Sequence, residues 1–404
     1  MSRASPTRVD PGRRASAPGL ARLRLHAQGI AAPLREPHEV VERLGAVQAQ
    51  DYLGALWAVG LRLEQAGEAD VERALARGTI LRTWPMRGTL HFVPARDARW
   101  MLRLMTPRIV ARGERRYREL GLDAATFARA GELLAGALEG GRRLTRPAAL
   151  ALLEAAGIST GGQRGIHVLQ RLAMDALLCF GPREGKQQTF VLLEEWAPRS
   201  IALEREEALA EIAVRYFTGH GPAAAPDLAW WTGLPAADVR EAIALAAPRL
   251  EHERIDGETY WWSGRTGRPA GGGAARAWLL PGFDELVVGY SDRSALFDPA
   301  HRGKVRIGAN GMLSPTIVLG GRLIGTWKRT LGRRGVAIEP ALFGRLDEAG
   351  RRALSAASAR YGAFLGLPVA AAPSSSPSRG RTRAVNARRA RAPAGLRRGA
   401  GTRP

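Results

Sequence analysis

Apolar positions between about Leu20 and Trp262 repeat one order three times: three stretches at helical spacing, then an alternating stretch around a turn. The middle copy is the clearest. AATFARAGELLAGALEG is periodic at helical spacing, RPAALALLEAAG carries a proline suited to a first helical turn, and GQRGIHVLQRLAMDAL supplies a third helix. LLCFGPREGKQQTFVLLEE then reads as two strands around a Gly/Pro turn. The third copy runs EREEALAEIAVRYFTGHG, PDLAWWTG, LPAADVREAIALAA and RLEHERIDGETYWW, with Asp-Gly as its hairpin turn. In the first, EPHEVVERLGAVQ places Val40, Val41, Leu44 and Val47 on one helical face, EADVERALARG follows, and TILRTWPMRGTLHFV supplies the hairpin. Leu90 and Phe92 alternate there with Arg87, Thr89 and His91, so one face packs and the other presents donors.

Helix-turn-helix plus hairpin is the pattern of a winged helix. The expectation is an α+β chain of three tandem winged helices, at 20–121, 122–202 and 203–273, followed by a small β-rich domain at 274–368. That last part differs in pattern: AWLLPGFDELVVGY, VRIGANGMLSPTIVLGGRLIGTWKR and GVAIEP are strand-like with Asn-Gly and Gly-Gly turns, and ALFGRLDEAGRRALSAASARYGAFLG is a closing helix. Residues 1–19 and 369–404 are rich in Pro, Ser, Gly and Arg and are expected to be disordered. Trp230, Trp231, Trp261 and Trp262 read as core rather than stacking platforms.

Charge adds a partner to this picture. Sixty Lys and Arg against 38 Asp and Glu leave +22, and only Lys186, Lys304 and Lys328 are lysines. The tail from Pro373 holds nine arginines and no acid, so the remainder is still about +13, which favours a polyanion and nucleic acid first. Cys179, the one cysteine, sits in the apolar run MDALLCF and reads as a buried hydrophobe. The N-terminus has no apolar signal core and no run reaches the roughly 18 apolar residues of a spanning helix. A cytoplasmic, nucleoid-associated monomer is expected. The seven histidines never fall at ligand spacing, and no P-loop, G-x-S-x-G or strand-linked G-x-G-x-x-G is present. Neither a metal nor another cofactor is expected.

Candidate chemistry centres on AVQAQDYLGALW, with Gln48 and Gln50 just before a break in the helical pattern. On a continuing helix they would lie about 200° apart, whereas extended or turn geometry lets both face one cleft. Taken alone, the pair reads as helix-end solvation. LGAVQAQD, RTWPMRGTLHFV, LLPGFDELVVGYSDRS, ANGMLSPTIV and GTWKRT occur in order from about Leu20 to Leu367, and together they resemble the AlkZ/YcaQ-type winged-helix family of bacterial DNA glycosylases. The resemblance implies three winged helices and a β-rich C-terminal domain around a DNA-binding surface, excision of N7-alkylated purines, and unhooking of interstrand crosslinks by some members. It implies a catalytic Gln-Φ-Gln or Gln-Φ-Asp element, where Φ is apolar, here Gln48-Ala49-Gln50. The two-glutamine form is closer to the AlkZ branch, which acts on bulky azinomycin-type crosslinks.

Such a substrate suits an amide. N7-alkylguanine already carries positive charge and leaves without protonation, so the site need only place water beside C1′ and stabilise an oxocarbenium-like sugar. A glutamine carbonyl can accept from that water while its NH₂ holds a phosphate or a second water. Asp51 is a candidate assistant, with N-cap of the following helix as its other role. A bifunctional lyase would need an amine near the motif, and no lysine is near. The expected partner is double-stranded DNA, alkylated or crosslinked, with contacts from Arg82, Arg87, His91, Arg293 and Arg329 and from Lys304 and Arg306 on a hairpin. The alternative is a non-catalytic winged-helix regulator or lesion sensor, and base release separates the two.

Overall fold

The computed structural model describes residues 17–264, 276–305 and 313–370. Helix α1 (Ala17–Ala27) leads into α2 (Pro37–Leu44), the two-residue strand β1 (Val47–Gln48), α3 (Tyr52–Gly60), α4 (Glu68–Ala76) and the hairpin β2 (Ile80–Met86) and β3 (Thr89–Pro94). The long α5 (Ala98–Glu119) connects to α6 (Ala124–Leu138), β4 (Leu144–Thr145), α7 (Arg146–Ala155), α8 (Arg164–Met174) and the hairpin β5 (Leu178–Glu184) and β6 (Gln187–Leu192). After α9 (Leu193–Trp196) come α10 (Arg205–His220), β7 (Ala223–Ala224), α11 (Ala225–Thr232), α12 (Ala236–Ala246), β8 (Glu251–Ile255) and β9 (Glu258–Trp262). The C-terminal part contains β10 (Ala277–Leu280), α13 (Glu285–Val288), β11 (Thr316–Leu319), β12 (Arg322–Gly332), β13 (Gly335–Leu342), α14 (Glu348–Leu365) and β14 (Val369–Ala370). Helix, two-residue strand, two helices and hairpin therefore recur in the same order three times. The expected disordered ends lie outside the described residues, except that α1 begins at Ala17 and that Val369 and Ala370 pair with β13.

Local chemistry sets the element ends. Pro37 opens α2, Glu39 accepts from the Glu36 N–H at 3.0 Å, and the buried face is Pro37, Val40, Val41 and Leu44. Asp123 caps α6 by accepting from Thr126 N–H at 2.8 Å. Asp256-Gly257 forms the β8–β9 turn with both residues left-handed, at φ 51° and 87°. Helix α5 was not legible in the pattern, because apolar burial is concentrated near its start (Trp100, Met101, Leu102 and Met105) and its end is the arginine-rich ARGERRYRE.

The repeats share sheets and cores. Hairpins of the first two groups join edge to edge, with Arg82 opposite Phe180, into a six-stranded sheet of order β1-β3-β2-β5-β6-β4. Joining them satisfies backbone groups that two separate hairpins would leave unpaired. The C-terminal sheet, β10-β11-β12-β13-β14, packs into one core with the first group. Trp57 on α3 lies 4.9 Å from the Tyr361 ring and 5.0 Å from Phe364, and donates its indole N–H to Leu279 O at 2.7 Å. Gly60 admits Phe364 to that seam, since a Cβ there would sit 2.2 Å from the ring. The third group packs through α10 on α2, where a Cβ at Gly219 would meet Arg43 O at 2.3 Å.

Candidate active site

Gln48 lies on β1, the edge strand of the six-stranded sheet, opposite His91 of β3. An edge strand leaves every second N–H without a ladder partner. The Gln48 N–H is taken by Glu285 Oε1 at 2.8 Å. The strand then departs, and the Gln50 side chain continues its ladder by accepting from Leu90 N–H at 3.2 Å. Ala49 between them is buried and donates to Leu90 O at 2.7 Å. The extended geometry expected for the motif is the one observed at Gln48.

Arg87 fixes the Gln48 amide. It sits at the β2–β3 turn with Gly88, both residues left-handed at φ 53° and 70°, a two-residue turn that matches the twist of the hairpin. From there its guanidinium donates to Gln48 Oε1 at 3.3 Å, to His91 Nε2 at 3.3 Å and to Trp231 O. Arginine can only donate, so His91 Nε2 is an acceptor and its Nδ1–H donates to Thr89 O at 3.0 Å. Burial, reinforced by the Arg87 charge, pushes the His91 pKa down to about 3, so the ring is neutral. Among the described residues, neither Gln48 nor Gln50 uses its Nε2 on a protein acceptor, and each Oε1 retains a lone pair.

Glu285 anchors the other side. Its Oε1 holds Gln48, while Oε2 accepts the Trp231 indole N–H at 3.0 Å and faces His220 Nε2 at 3.3 Å. Burial acts to raise its pKa, but the hydrogen bond and charge of His220, and to a smaller extent the Arg87 charge, outweigh it and bring it to about 2. Next door, Asp284 forms a bidentate pair with Arg62 at 2.9 Å on both oxygens, and both side chains are fully buried. Arg62 also donates to Gln28 Oε1 at 2.7 Å and Ala58 O at 2.7 Å. The short helix α13 is thereby bolted to the first group on one side and to the amide motif on the other.

Other candidates are placed as follows. Asp51 stands at the N-cap of α3 without a side-chain cap bond. Arg82 is 7 % exposed and donates to Ala49 O at 3.2 and 2.9 Å and to Gln188 Oε1 at 3.0 Å. Register puts Arg82, Phe92 and Val47 on one sheet face and Gln48, His91 and Thr83 on the other. A cavity of about 710 Å³, lined by Tyr52, Glu72, Arg82, Arg183 and Gln188 among others, therefore opens on the face away from the Gln48 side chain. Arg293 lies with its guanidinium 5.4 Å from the Trp230 ring centre, and Arg329 donates to the Tyr361 hydroxyl. Lys304 ends a 3₁₀ turn, Pro299–Lys304, rather than a strand, and Arg306 lies outside the described residues. Arg82, Arg87 and His91 are thus gathered at the motif, whereas Arg329 and Lys304 belong to the C-terminal part. Sequence reasoning passed over Glu285, Asp284, Arg62, His220 and Trp231. The signal for the acids was there in LLPGFDELVV, two carboxylates inside an apolar run.

A chain with Gln48 fixed on an edge strand between a buried carboxylate and a guanidinium, and Gln50 just beyond it, is, by comparison with known families, a DNA glycosylase, and its substrate is DNA. A family model described as DNA glycosylase AlkZ-like matches residues 41–364, and the chain belongs to that family. It is 28% identical over 306 residues to an interstrand DNA cross-link repair glycosylase of Streptomyces sahachiroi, covering 72% of this chain and 81% of that protein. Its fold is similar to that of Streptomyces sahachiroi DNA glycosylase AlkZ, with a TM-score of 0.72, 24% identity, and coverage of 89% of this chain and 100% of that one. No described helix is long and apolar enough to cross a membrane.

Proposed function

We propose that this chain is a monofunctional glycosylase that excises N7-alkylated purines from double-stranded DNA, bulky and crosslinked N7-guanine adducts included, with Gln48 and Gln50 positioning the water. The carrying observation is that both amides are held by fixed donors on their oxygens, yet keep one lone pair and a whole NH₂ for substrate. Water bound to that lone pair attacks C1′, the C1′–N9 electrons pass into the cationic base, and it leaves neutral while the water proton goes to solvent. No general acid is required. Each helix, strand, helix, helix and hairpin repeat is in this reading a winged helix, with boundaries near 20–121, 122–202 and 203–273, and the C-terminal part near 274–368 completes the DNA surface. Crosslinks enter the proposal because the curated relative is named for their repair.

The test is a glycosylase assay on an N7-methylguanine duplex and on an N7-linked interstrand crosslink in parallel. Release from both is expected for the wild type. Gln48→Ala with Gln50→Ala should abolish release while DNA affinity survives, and undiminished excision by that double variant would refute the assignment.

A further inference from the structure

Trp230 and Trp231 are consecutive on α11, and a helix turns them about 100° apart. Trp231 is 0% exposed and belongs to the core, but Trp230 is 49% exposed, so the expectation of core holds for one of the two. Helix geometry explains the split, since both rings cannot face α10 and Glu285 at once. An indole left half in solvent costs apolar exposure, yet this one is held in place. Its Nε1–H donates to Val288 O at 2.9 Å, and the Arg293 guanidinium stacks on it at 5.4 Å. Arg293 is itself fixed, its Nε–H donating to Val287 O at 2.7 Å. Its four terminal N–H groups make no hydrogen bond or close ion pair among the described residues, and Asp227 acts on the guanidinium only as a more distant charge.

Both anchors, Val287 and Val288, lie on α13, and so does Glu285, which holds the Gln48 N–H at 2.8 Å. The neighbouring Trp231 carbonyl holds Arg87, which holds the Gln48 amide. The indole and the candidate catalytic strand are therefore mounted on the same four-residue helix, at a fixed offset.

We propose that Trp230 and Arg293 form a binding site for one nucleotide displaced from the stack beside the lesion, with its base on the indole and its phosphate on the Arg293 fork. The inference deepens the proposed function and rests on it for the location of the lesion. An indole face accepts any base, and a bidentate guanidinium matches a phosphate. A protein partner would need a contiguous apolar patch, whereas α11 exposes this one large apolar side chain. Paired duplex hides its base faces, so the site selects DNA that is locally unstacked, as wedge residues do at kinked steps.

Fluorescence anisotropy with the full chain tests this on two hairpin duplexes that differ only by one unpaired, bulged nucleotide, at a single salt concentration. Trp230→Ala is expected to weaken binding of the bulged duplex by roughly 5- to 150-fold, the range measured for base stacking on aromatic side chains, and to leave the paired duplex within about twofold. Trp230→Phe, which keeps a ring but lacks the N–H bond to Val288, should recover most of the loss. Equal weakening on both duplexes, no weakening on either, or a phenylalanine variant as weak as alanine would overturn the proposal; the last outcome would make Trp230 a brace for α13. If the wild type releases no N7-methylguanine, the proposed function fails, while the contrast between the two duplexes still reads the nucleotide site.

Discussion

Replacing Glu285 with glutamine keeps the shape of the side chain and removes its charge, and the surrounding hydrogen bonds define the consequence. Glu285 receives Gln48 N–H on one oxygen, and Trp231 Nε1–H and His220 on the other. A glutamine has one acceptor oxygen and one NH₂, so in either orientation an amide donor faces another donor. One buried donor left without an acceptor costs about 1–3 kcal/mol, and loss of charge assistance on the remaining bonds about 1 kcal/mol each. The expected loss is about 2–5 kcal/mol out of a typical total of about 5–15. Stability should also change its pH dependence. The folded carboxyl titrates at about 2 against 4.5 when unfolded, so between those values the unfolded chain binds the extra proton. The carboxylate's contribution, about 3 kcal/mol, is complete above 4.5 and disappears as the pH falls through that window to about 2. Urea melts from pH 7 to pH 3 should show Glu285→Gln clearly less stable at neutral pH, with the gap to wild type narrowing below pH 4.5. Single-turnover release of N7-methylguanine should slow with DNA affinity unchanged, because the altered bond positions Gln48 rather than the duplex. A variant as stable as wild type at pH 7, or a gap constant down to pH 3, would refute the reasoning.

His91 acts over a higher pH window. Its folded pKa of about 3 lies below the ordinary 6.5, so the unfolded chain alone takes up a proton below 6.5 and stability falls by about 1.4 kcal/mol per pH unit towards 3. His91→Gln should remove about one proton from that slope between pH 6 and pH 5, and an unaltered slope in urea melts would show that the ring is not buried neutral. Arg62→Met fills similar volume but strands Asp284 at 0% exposure, so a loss of about 3–5 kcal/mol is expected by chemical denaturation, with partial recovery when Asp284 is replaced by leucine as well. Burial pushes the Cys179 thiol pKa up, so a thiol reagent should modify the native chain negligibly and one equivalent after denaturation. Rapid native modification would place Cys179 outside the core.

The repeating order of elements was legible because it is written in short-range periodicity: Val40, Val41 and Leu44 on one helix face, Asp256-Gly257 at one turn. The same local signals carry nothing about which strand pairs across groups, so the β2–β5 junction and the shared core at Trp57, Tyr361 and Phe364 were not foreseen. Gln48 and Gln50 stood out by residue type, but the groups that fix them lie at 285, 231 and 220 and meet them only through tertiary packing. Arginines were read as a class of phosphate contacts. Burial divides them, since Arg82 and Arg87 spend their N–H groups on Ala49, Gln188, Gln48 and Trp231, whereas Arg293 keeps most of its own for solvent.

The electrostatic design of the site follows from that division. A strongly basic chain gathers polyanionic DNA, but on the proposed mechanism the reacting centre holds a cationic base and then a cationic sugar, which an excess of positive charge would oppose. Around Gln48 the excess is offset by a buried carboxylate. Arg87 is opposed there by the Glu285 carboxylate, which also faces His220 at 3.3 Å, and His91 at about 3 adds no charge. Burial keeps His91 neutral and Arg87 reinforces it by donating to Nε2, so the guanidinium that orients the amide also opposes a second cation beside it. An amide is then a suitable side chain to face the sugar, because it presents a dipole without adding charge, and the fixed carboxylate behind its backbone sets where that dipole points.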